Sequence, residues 1–370
     1  AALPDAHWSA LSPDAPLRCW RLLEPEEGAS LVNARLKIDE RVLHYLAGIN
    51  RLDHRLQALL QPVPQDAPPL SNAQSAGVPW LLAQWPALRQ AIMLEGDDGH
   101  GQRDLAAALA AGLGAALYQL HGMDIPADAA EQAAFAALWG REAALLGAGL
   151  LLQCEGASLE QQAAALRLAR QLPGLVLLAG RDWPATDLPC HRLRIDPPEA
   201  PERRTLWRAA LDDLGMPIAA PALDNLASQY RLGARRIAEI AEQARAQSPG
   251  ADGATLQRIA REEAARSAAL PALAQTVAPQ AGWPALVLPA AQQQLLRQIV
   301  AHARHRLTVH HAWGFADQGA RGLGLATLFW GDSGTGKTLA AEVMAHELGL
   351  ALVRVDLSAV VSKYIGETEK

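Results

Sequence analysis

Leu325-Ala-Thr-Leu-Phe-Trp330 runs straight into Gly331-Asp332-Ser333-Gly334-Thr335-Gly336-Lys337-Thr338, and this second stretch fits G-x-x-x-x-G-K-[ST] with no mismatch. Gly331, Gly334 and Gly336 can take left-handed backbone angles, so successive N–H groups turn inward onto an anion instead of continuing a strand. Lys337 adds a point positive charge for terminal phosphates, and the Thr338 hydroxyl is a hard oxygen ligand suited to Mg²⁺. From Thr338 to Leu350 apolar residues recur at helical spacing (Leu339, Val343, Met344, Leu348), which directs the positive end of a helix dipole at the same point. A strand over 325–330, an anion cup and a helix are expected in that order, with ATP and Mg²⁺ as the ligands.

The same framework occurs earlier in the chain. Ala91-Ile-Met-Leu-Glu95 leads into Gly96-Asp-Asp-Gly-His-Gly-Gln-Arg103, and setting Gly96 on Gly331 also places Gly99 on Gly334, Gly101 on Gly336 and Gly114 on Gly349 without a gap. Leu105 to Leu113 then shadows Ala340 to Leu348, and Ala116 to Leu120 shadows Ala351 to Val355. In this first copy Gln102 stands where Lys belongs and Arg103 where Ser or Thr belongs. Gln102 brings no charge to a phosphate, and Arg103 cannot ligate a metal cation. The apolar run Gly149-Leu-Leu-Leu-Gln-Cys154 ends on Gln153 and Cys154 where an NTPase would place carboxylates, and Glu155 reads as a solvated loop acid.

Half of the 370 residues are apolar and the net charge is −6, which supplies two or three cores and no broad basic surface. Nucleic acid is therefore a second choice of partner. Cys19, Cys154 and Cys190 have no partner at disulfide-motif or metal spacing, which fits free thiols in a reducing, cytoplasmic setting. No run is long enough for a membrane span. The start lacks Met and the end falls a few tens of residues past the second loop, so both ends read as cut.

Residues 1–60 read as a winged-helix-like piece. Leu17 to Leu23 and Leu31 to Ile38 are extended runs, Asp39 sits at an N-cap, and Val42, Leu43, Leu46 and Ala47 share a helical face. Acids and bases balance there, which favours a protein-contacting adaptor over a DNA reader. By composition 61–79 is a linker, 80–196 an α/β module and 197–250 a small helical lid, with Glu202 to Leu214 and Pro221 to Gln247 as helices. A second linker covers 251–290. The second module begins at 291 with a helix from Gln292 to Leu307 that turns Leu295, Leu296, Ile299 and Val300 inward.

Gly331 to Thr338, the helix Leu339-Ala-Ala-Glu-Val-Met-Ala345, the strand to Asp356 and Ser362-Lys-Tyr-Ile-Gly-Glu-Thr-Glu-Lys370 resemble the opening of an AAA+ ATPase of the type that remodels proteins. The resemblance implies an α/β fold: a P-loop NTPase three-layer αβα module with a helical lid, preceded by the winged-helix-like piece and followed by the start of a second module. It implies nucleotide contacts from residues 331–339 (Gly331 through Leu339), catalytic roles for Lys337 and Thr338, and Mg²⁺ on Thr338. By the same resemblance Lys363, Tyr364, Ile365 and Gly366 line the pore of a homo-hexameric ring, and Gly233-Ala-Arg-Arg236 occupies the place of a second sensor. The first copy is similar to a degenerate module, its site formed by Gly96, Gly99, Gly101, Gln102 and Arg103. The whole order resembles bacterial tandem AAA proteins, some of them associated with phage-tail-like contractile injection particles.

The function implied is ATP-driven remodelling or assembly of protein complexes, run by the second module, with a protein substrate. The general base, first sensor and arginine finger of that module are expected beyond Lys370, so this chain is expected to bind ATP without turning it over. A nucleic-acid motor or DNA-bound regulator, and a scaffold that binds ATP without hydrolysis, stay open as alternatives.

Overall fold

The computed structural model describes residues 7–26, 34–65, 70–88, 90–247, 252–267, 274–305, 309, 313 and 325–355. Two compact units divide the chain, Ala1–Asp196 and Pro197–Lys370.

The first unit opens with a helical turn, α1 (Pro16–Cys19), a hairpin of β1 (Leu23–Pro25) and β2 (Leu36–Ile38), and the short helices α2 (Glu40–Leu46) and α3 (His54–Gln57). The extended reading from Leu17 is corrected by α1: Pro16 at its first turn pre-sets a helical φ, and the strand begins only at Leu23. Asp39 does cap α2, its carboxylate accepting from the Arg41 N–H at 3.0 Å.

Then follow β3 (Gln61–Pro62), α4 (Asn72–Leu88), β4 (Ala91–Glu95), α5 (Gly99–Gly112), β5 (Ala116–His121), α6 (Ala129–Leu146), β6 (Ala148–Gln153), α7 (Leu159–Ala169), β7 (Val176–Gly180) and β8 (Cys190–Arg194). Residues 61–79, whose composition reads as linker, thus contain β3 and the start of α4. The six strands lie in the order β3-β5-β6-β7-β4-β8, with β3 antiparallel and the rest parallel.

Successive residues of the central strands serve opposite faces, as the pleat requires. Leu150, Leu152 and Leu178 pack with Phe135 and Trp139 of α6 and Leu168 of α7, while Leu151, Leu177, Ile92 and Leu94 pack with Leu105 and Leu109 of α5. Three layers result. The chain leaves β4 for β5 across β7 and β6, and later crosses β4 to reach β8, so the carboxyl end of β4 is a topological switch point where α/β sheets bind ligands.

A buried ionic cluster ties the N-terminal helices to α6. Arg141 pairs with Asp53 and, at 3.1 Å, with Asp39; Arg41 pairs with Glu142 at 2.9 Å; and Arg55 reaches Asp39 at 2.7 Å and Asp53 at 2.6 Å. Burial opposes the charge on Asp53, but the hydrogen bonds of the Arg55 side chain and backbone N–H, with Arg141 beside them, hold its carboxyl down at about 2.

The second unit starts with α8 (Ala200–Asp213), α9 (Ala220–Gln229), α10 (Ala234–Gln247) and α11 (Gly253–Ser267), packed around Trp207, Leu226, Ile237, Ile240 and Ile259. The single helix expected over 221–247 is two helices. Tyr230 takes an extended backbone (φ −111, ψ 119) that breaks them, and its buried hydroxyl donates to Gly349 O at 2.8 Å. The helical core also runs through α11, beyond the end expected at residue 250.

After it come β9 (Ala274–Val277), α12 (Ala290–Arg304), α13 (Lys337–Leu348) and β10 (Leu352–Val355), with β9 and β10 antiparallel. Leu296 and Val300 of α12 are buried, but Leu295 is 57% exposed and does not belong to the inward face. Residues 325–330 are not a strand. No described strand lies beside them to accept their backbone hydrogen bonds, and Leu328 and Trp330 stand 85% and 88% exposed. No helix among the described residues is long and apolar enough to cross a membrane.

Candidate phosphate-binding loop

The loop 331–336 enters α13 through three glycines with positive φ: Gly331 at 138°, Gly334 at 82° and Gly336 at 87°. A side chain is strained at each, which is why glycine recurs there. Gly336 is the N-cap of α13 and offers no side chain to close the helix end. Among the described residues none of the N–H groups of 331–336 has an acceptor. Space is free as well: a Cβ on Gly334 or Gly336 would meet nothing within 4 Å.

Lys337 folds back over this loop, its Nζ donating to Gly331 O at 2.9 Å, Asp332 O at 2.5 Å and Thr335 Oγ1 at 3.3 Å. The ammonium is thereby held beside the ring of unused donors. Thr338 is exposed in the first turn of α13, and Ser333 and Thr335 are exposed on the loop. Donor N–H groups, one cation and one hydroxyl fit a polyphosphate with its divalent cation, Thr338 being the residue that would hold the metal.

The first loop shares the positive φ of its opening glycine, Gly96 at 121°, but Gly99 and Gly101 already lie in α5 and take no positive φ, and its chemistry is the opposite. Its N–H groups are spent within the protein: Gly96 on Arg181 O at 3.1 Å, Asp97 on Asp196 Oδ1 at 3.1 Å, Asp98 on Ile195 O at 3.2 Å and Gly101 on Asp98 Oδ1 at 2.8 Å. Gln102 is 1% exposed and donates to Gly96 O at 3.0 Å and Gly180 O at 3.2 Å, bridging the loop to the end of β7. The space over the glycines is filled. A Cβ on Gly99 would collide with the Glu155 carboxylate, and one on Gly101 with Gln74 and Asp98.

Burial pushes the Asp98 carboxyl above its ordinary range, and the nearby charges of Asp104 and Glu155 push the same way against the Gly101 N–H and His100. Arg103 is half-buried behind this loop, and its Nε has no hydrogen-bond partner among the described residues. Glu155, read from sequence as a solvated loop acid, is exposed in a turn, and its carboxylate lies over Gly99. Nothing in its local sequence signals this, because the glycine it covers lies more than fifty residues earlier. Cys154 lies under the same edge, its N–H on Ala179 O at 2.7 Å, with burial raising the thiol to about 12. It is a packing residue.

Lys363, Tyr364, Ile365 and Gly366 lie outside the described residues. Arg236 pairs with Glu239 at 2.7 Å and Glu263 at 3.3 Å inside the helical core. No group of three or more metal-ligating side chains is found among the described residues.

A doubly wound α/β module and a glycine-cradled helix start define a P-loop protein in which one loop is closed and one open. Family models match the chain in the same order: a "Winged helix domain, variant" over residues 6–60, the "Contractile injection system ATPase helical domain" over 199–271, and the "ATPase family associated with various cellular activities (AAA)" over 327–370. Residues 327–370 thus match the AAA ATPases, and residues 199–271 match the helical domain of the contractile injection system type. The chain is also 58% identical over 41 residues to the uncharacterized AAA family ATPase y4kL of Sinorhizobium fredii (strain NBRC 101917 / NGR234), a match that spans 11% of this chain and 12% of that relative.

Proposed function

We propose that the protein binds ATP and Mg²⁺ at the second loop alone and uses that nucleotide, in a homo-hexameric ring, to drive remodelling or assembly of protein complexes of the contractile injection type. The observation that carries this reading is the set of N–H groups over 331–336 that have no acceptor among the described residues, with Lys337 held among them. Those groups aim fixed dipoles at a phosphate without having to break bonds already made, so little reorganisation opposes binding. Bound Mg²⁺ would supply charge neutralisation on the phosphates, and Thr338 is placed to hold it. The first module serves as a structural element, since its donors are spent and its loop is lined by carboxylates. The helical-domain match supports the injection-particle setting.

Isothermal titration with ATP and Mg²⁺ tests the assignment. Lys337→Ala should weaken binding by about a hundredfold, the loss of one charged contact to phosphate, and should abolish remodelling by the whole protein. Gln102→Ala should leave ATP affinity within about twofold. Tight binding that survives Lys337→Ala and disappears with a first-loop substitution would overturn it.

A further inference from the structure

A cleft of about 420 Å³ opens between α2 and α3 in the N-terminal piece. Its floor is Arg41, Leu52 and Asp53, and its rim includes Glu40, Ile49 and Arg51. The ionic cluster beneath makes that floor rigid: Asp39, Asp53 and Glu142 balance Arg41, Arg55 and Arg141, and truncating one member of such a buried set is costly.

Two cations at this cleft are not fully used. Arg41 spends Nε on Glu142 at 2.9 Å and Nη2 on Asn50 at 2.7 Å, leaving Nη1 buried with no acceptor among the described residues. Arg51 on the exposed rim has no ion pair among the described residues. Asp53 is consumed by Arg55 and Arg141, so Glu40 is the one carboxylate at the rim that can oppose an incoming anion. His44 and His54 also line the cleft.

Beside these charges the surface is apolar. Ile49 lines the cleft and is half exposed, and Leu43 and Leu46 of α2 are 51% and 70% exposed. Apolar surface next to an unspent guanidinium is the composition of a protein-docking site. A free phosphate would find one uncommitted cation in a wide mouth and would gain nothing from the leucines. A nucleic-acid backbone would meet Glu40 and a neutral cluster, with too few bases to displace its counterions.

We infer that this cleft takes one acidic side chain, flanked by apolar residues, from an extended segment of a partner protein, with Arg51 and the edge of Arg41 as its anchors and Ile49 as its apolar wall. The site is independent of the nucleotide loop and does not depend on the function proposed above.

The test uses the intact chain and a fluorescein-labelled peptide, Ser-Leu-Glu-Leu-Ser with blocked ends, beside its Ser-Leu-Gln-Leu-Ser counterpart. Fluorescence anisotropy should show the Glu peptide binding about tenfold more tightly, the value of one charge-assisted hydrogen bond. Arg51→Gln and Ile49→Ala should each weaken it about five- to tenfold at an unchanged melting temperature. Arginine side-chain NMR should place the shifts at Arg41 and Arg51. Equal binding of the two peptides, no arginine shift at millimolar peptide, or displacement of the peptide by inorganic phosphate or by a short DNA duplex would each overturn the assignment.

Discussion

Gly96 and Gly331 hold nearly the same backbone, φ 121° and 138°, and Gly114 and Gly349 close their helices at 66° and 68°. The two loops nevertheless do opposite things with their polar groups. In the first, the N–H groups of Gly96, Asp97, Asp98 and Gly101 have protein acceptors and Gln102 fastens Gly96 O to Gly180 O; in the second the N–H groups have no acceptor among the described residues and Lys337 takes the equivalent carbonyl, Gly331 O. A shared glycine spacing thus fixes the ends of the segment but neither its use nor the path between, since Gly99 and Gly101 are helical where Gly334 and Gly336 are left-handed. Occupancy of the donors decides the use, and it is set by acceptors brought in from elsewhere: Arg181 after β7, and Ile195 and Asp196 after β8.

The likeness of the two copies reaches further back than the glycines. The pairing of β3 with β5 sets Gln61 opposite Gln119 and Pro62 opposite Tyr118. The pairing of β9 with β10 sets Gln275 opposite Arg354 and Thr276 opposite Val353. The offset that puts Gly96 on Gly331 also puts Gln119 on Arg354 and Tyr118 on Val353, so the two edge strands meet their partners in the same register. Each copy has an edge strand and a helix before its loop and a helix and a strand after it, and the first copy adds β4 directly before the loop, where residues 325–330 form no strand.

The matched glycines offer the sharpest way to break the comparison. Gly96→Ala and Gly331→Ala bear the same left-handed strain, about 1 to 2 kcal/mol. Only Gly96 adds a collision, with the backbone Ile195 O at 2.5 Å, while the nearest atom to a Cβ on Gly331 is Thr335 Oγ1 at 3.7 Å. Gly96→Ala should therefore cost more than about 3 kcal/mol in the first unit, and Gly331→Ala no more than the strain. Hydrogen exchange in α5 and α13 along a urea titration reads the two separately, and equal losses would show that the first loop is not held by packing.

Much of this was legible in the residues. The central strands β6 and β7 follow from uninterrupted apolar runs, and the repeat from glycine spacing, because both are local patterns with few physical solutions. Asp39 was readable as a cap. Its pairing with Arg141, more than a hundred residues away, was not, nor was the placing of Gln74 and Glu155 over the first loop, since sequence order carries no sign of which loop a distant side chain will cover. The two-residue β3 is too short and too proline-rich to announce itself. The stretch 325–330 failed for the opposite reason: its composition suits a strand, but a strand also needs a neighbour.

A smaller effect concerns the charge in the closed loop. Alignment places Asp98 on Ser333, so the open loop lacks this carboxylate. Burial raises the Asp98 pKa, so the folded state holds that proton more tightly than the unfolded chain does. The ionised side chain therefore costs stability at neutral pH, and the cost fades as pH falls toward 4. Asn keeps the cap on the Gly101 N–H, so Asp98→Asn should stabilise the first unit at pH 7 and not near pH 4. Asp53 behaves in the reverse sense. Its depressed pKa contributes stability above its ordinary 3.8 that is lost as pH falls toward about 2. Urea midpoints of Asp98→Asn and the parent chain at both pH values check the sign, and a gain that grows on acidification would refute the reading of Asp98.

The smallest expected effect is the most telling. If side-chain identity at two positions were all that separated the loops, Gln102→Lys with Arg103→Thr would turn the first into a nucleotide site. In a Lys337→Ala background, expected to weaken the second loop about a hundredfold, that double variant should gain no ATP binding above the background's own. The graft restores the cation and the hydroxyl but leaves the N–H groups of Gly96, Asp97, Asp98 and Gly101 bonded to protein acceptors, and leaves Glu155 and Gln74 over Gly99 and Gly101. It also puts a lysine in a 1% exposed position, where desolvation disfavours its charge. Adding Asp98→Ser, Glu155→Ala and Gln74→Ala to the graft clears the acids and the overlying amide. Any affinity should emerge only in that fuller variant, and it should stay at least about tenfold below the native second loop, because Asp196 and Ile195 still hold two of the donors. Binding by the double variant alone would show that the closed loop opens at little cost, and the contrast between the two copies would then reduce to Gln102 and Arg103.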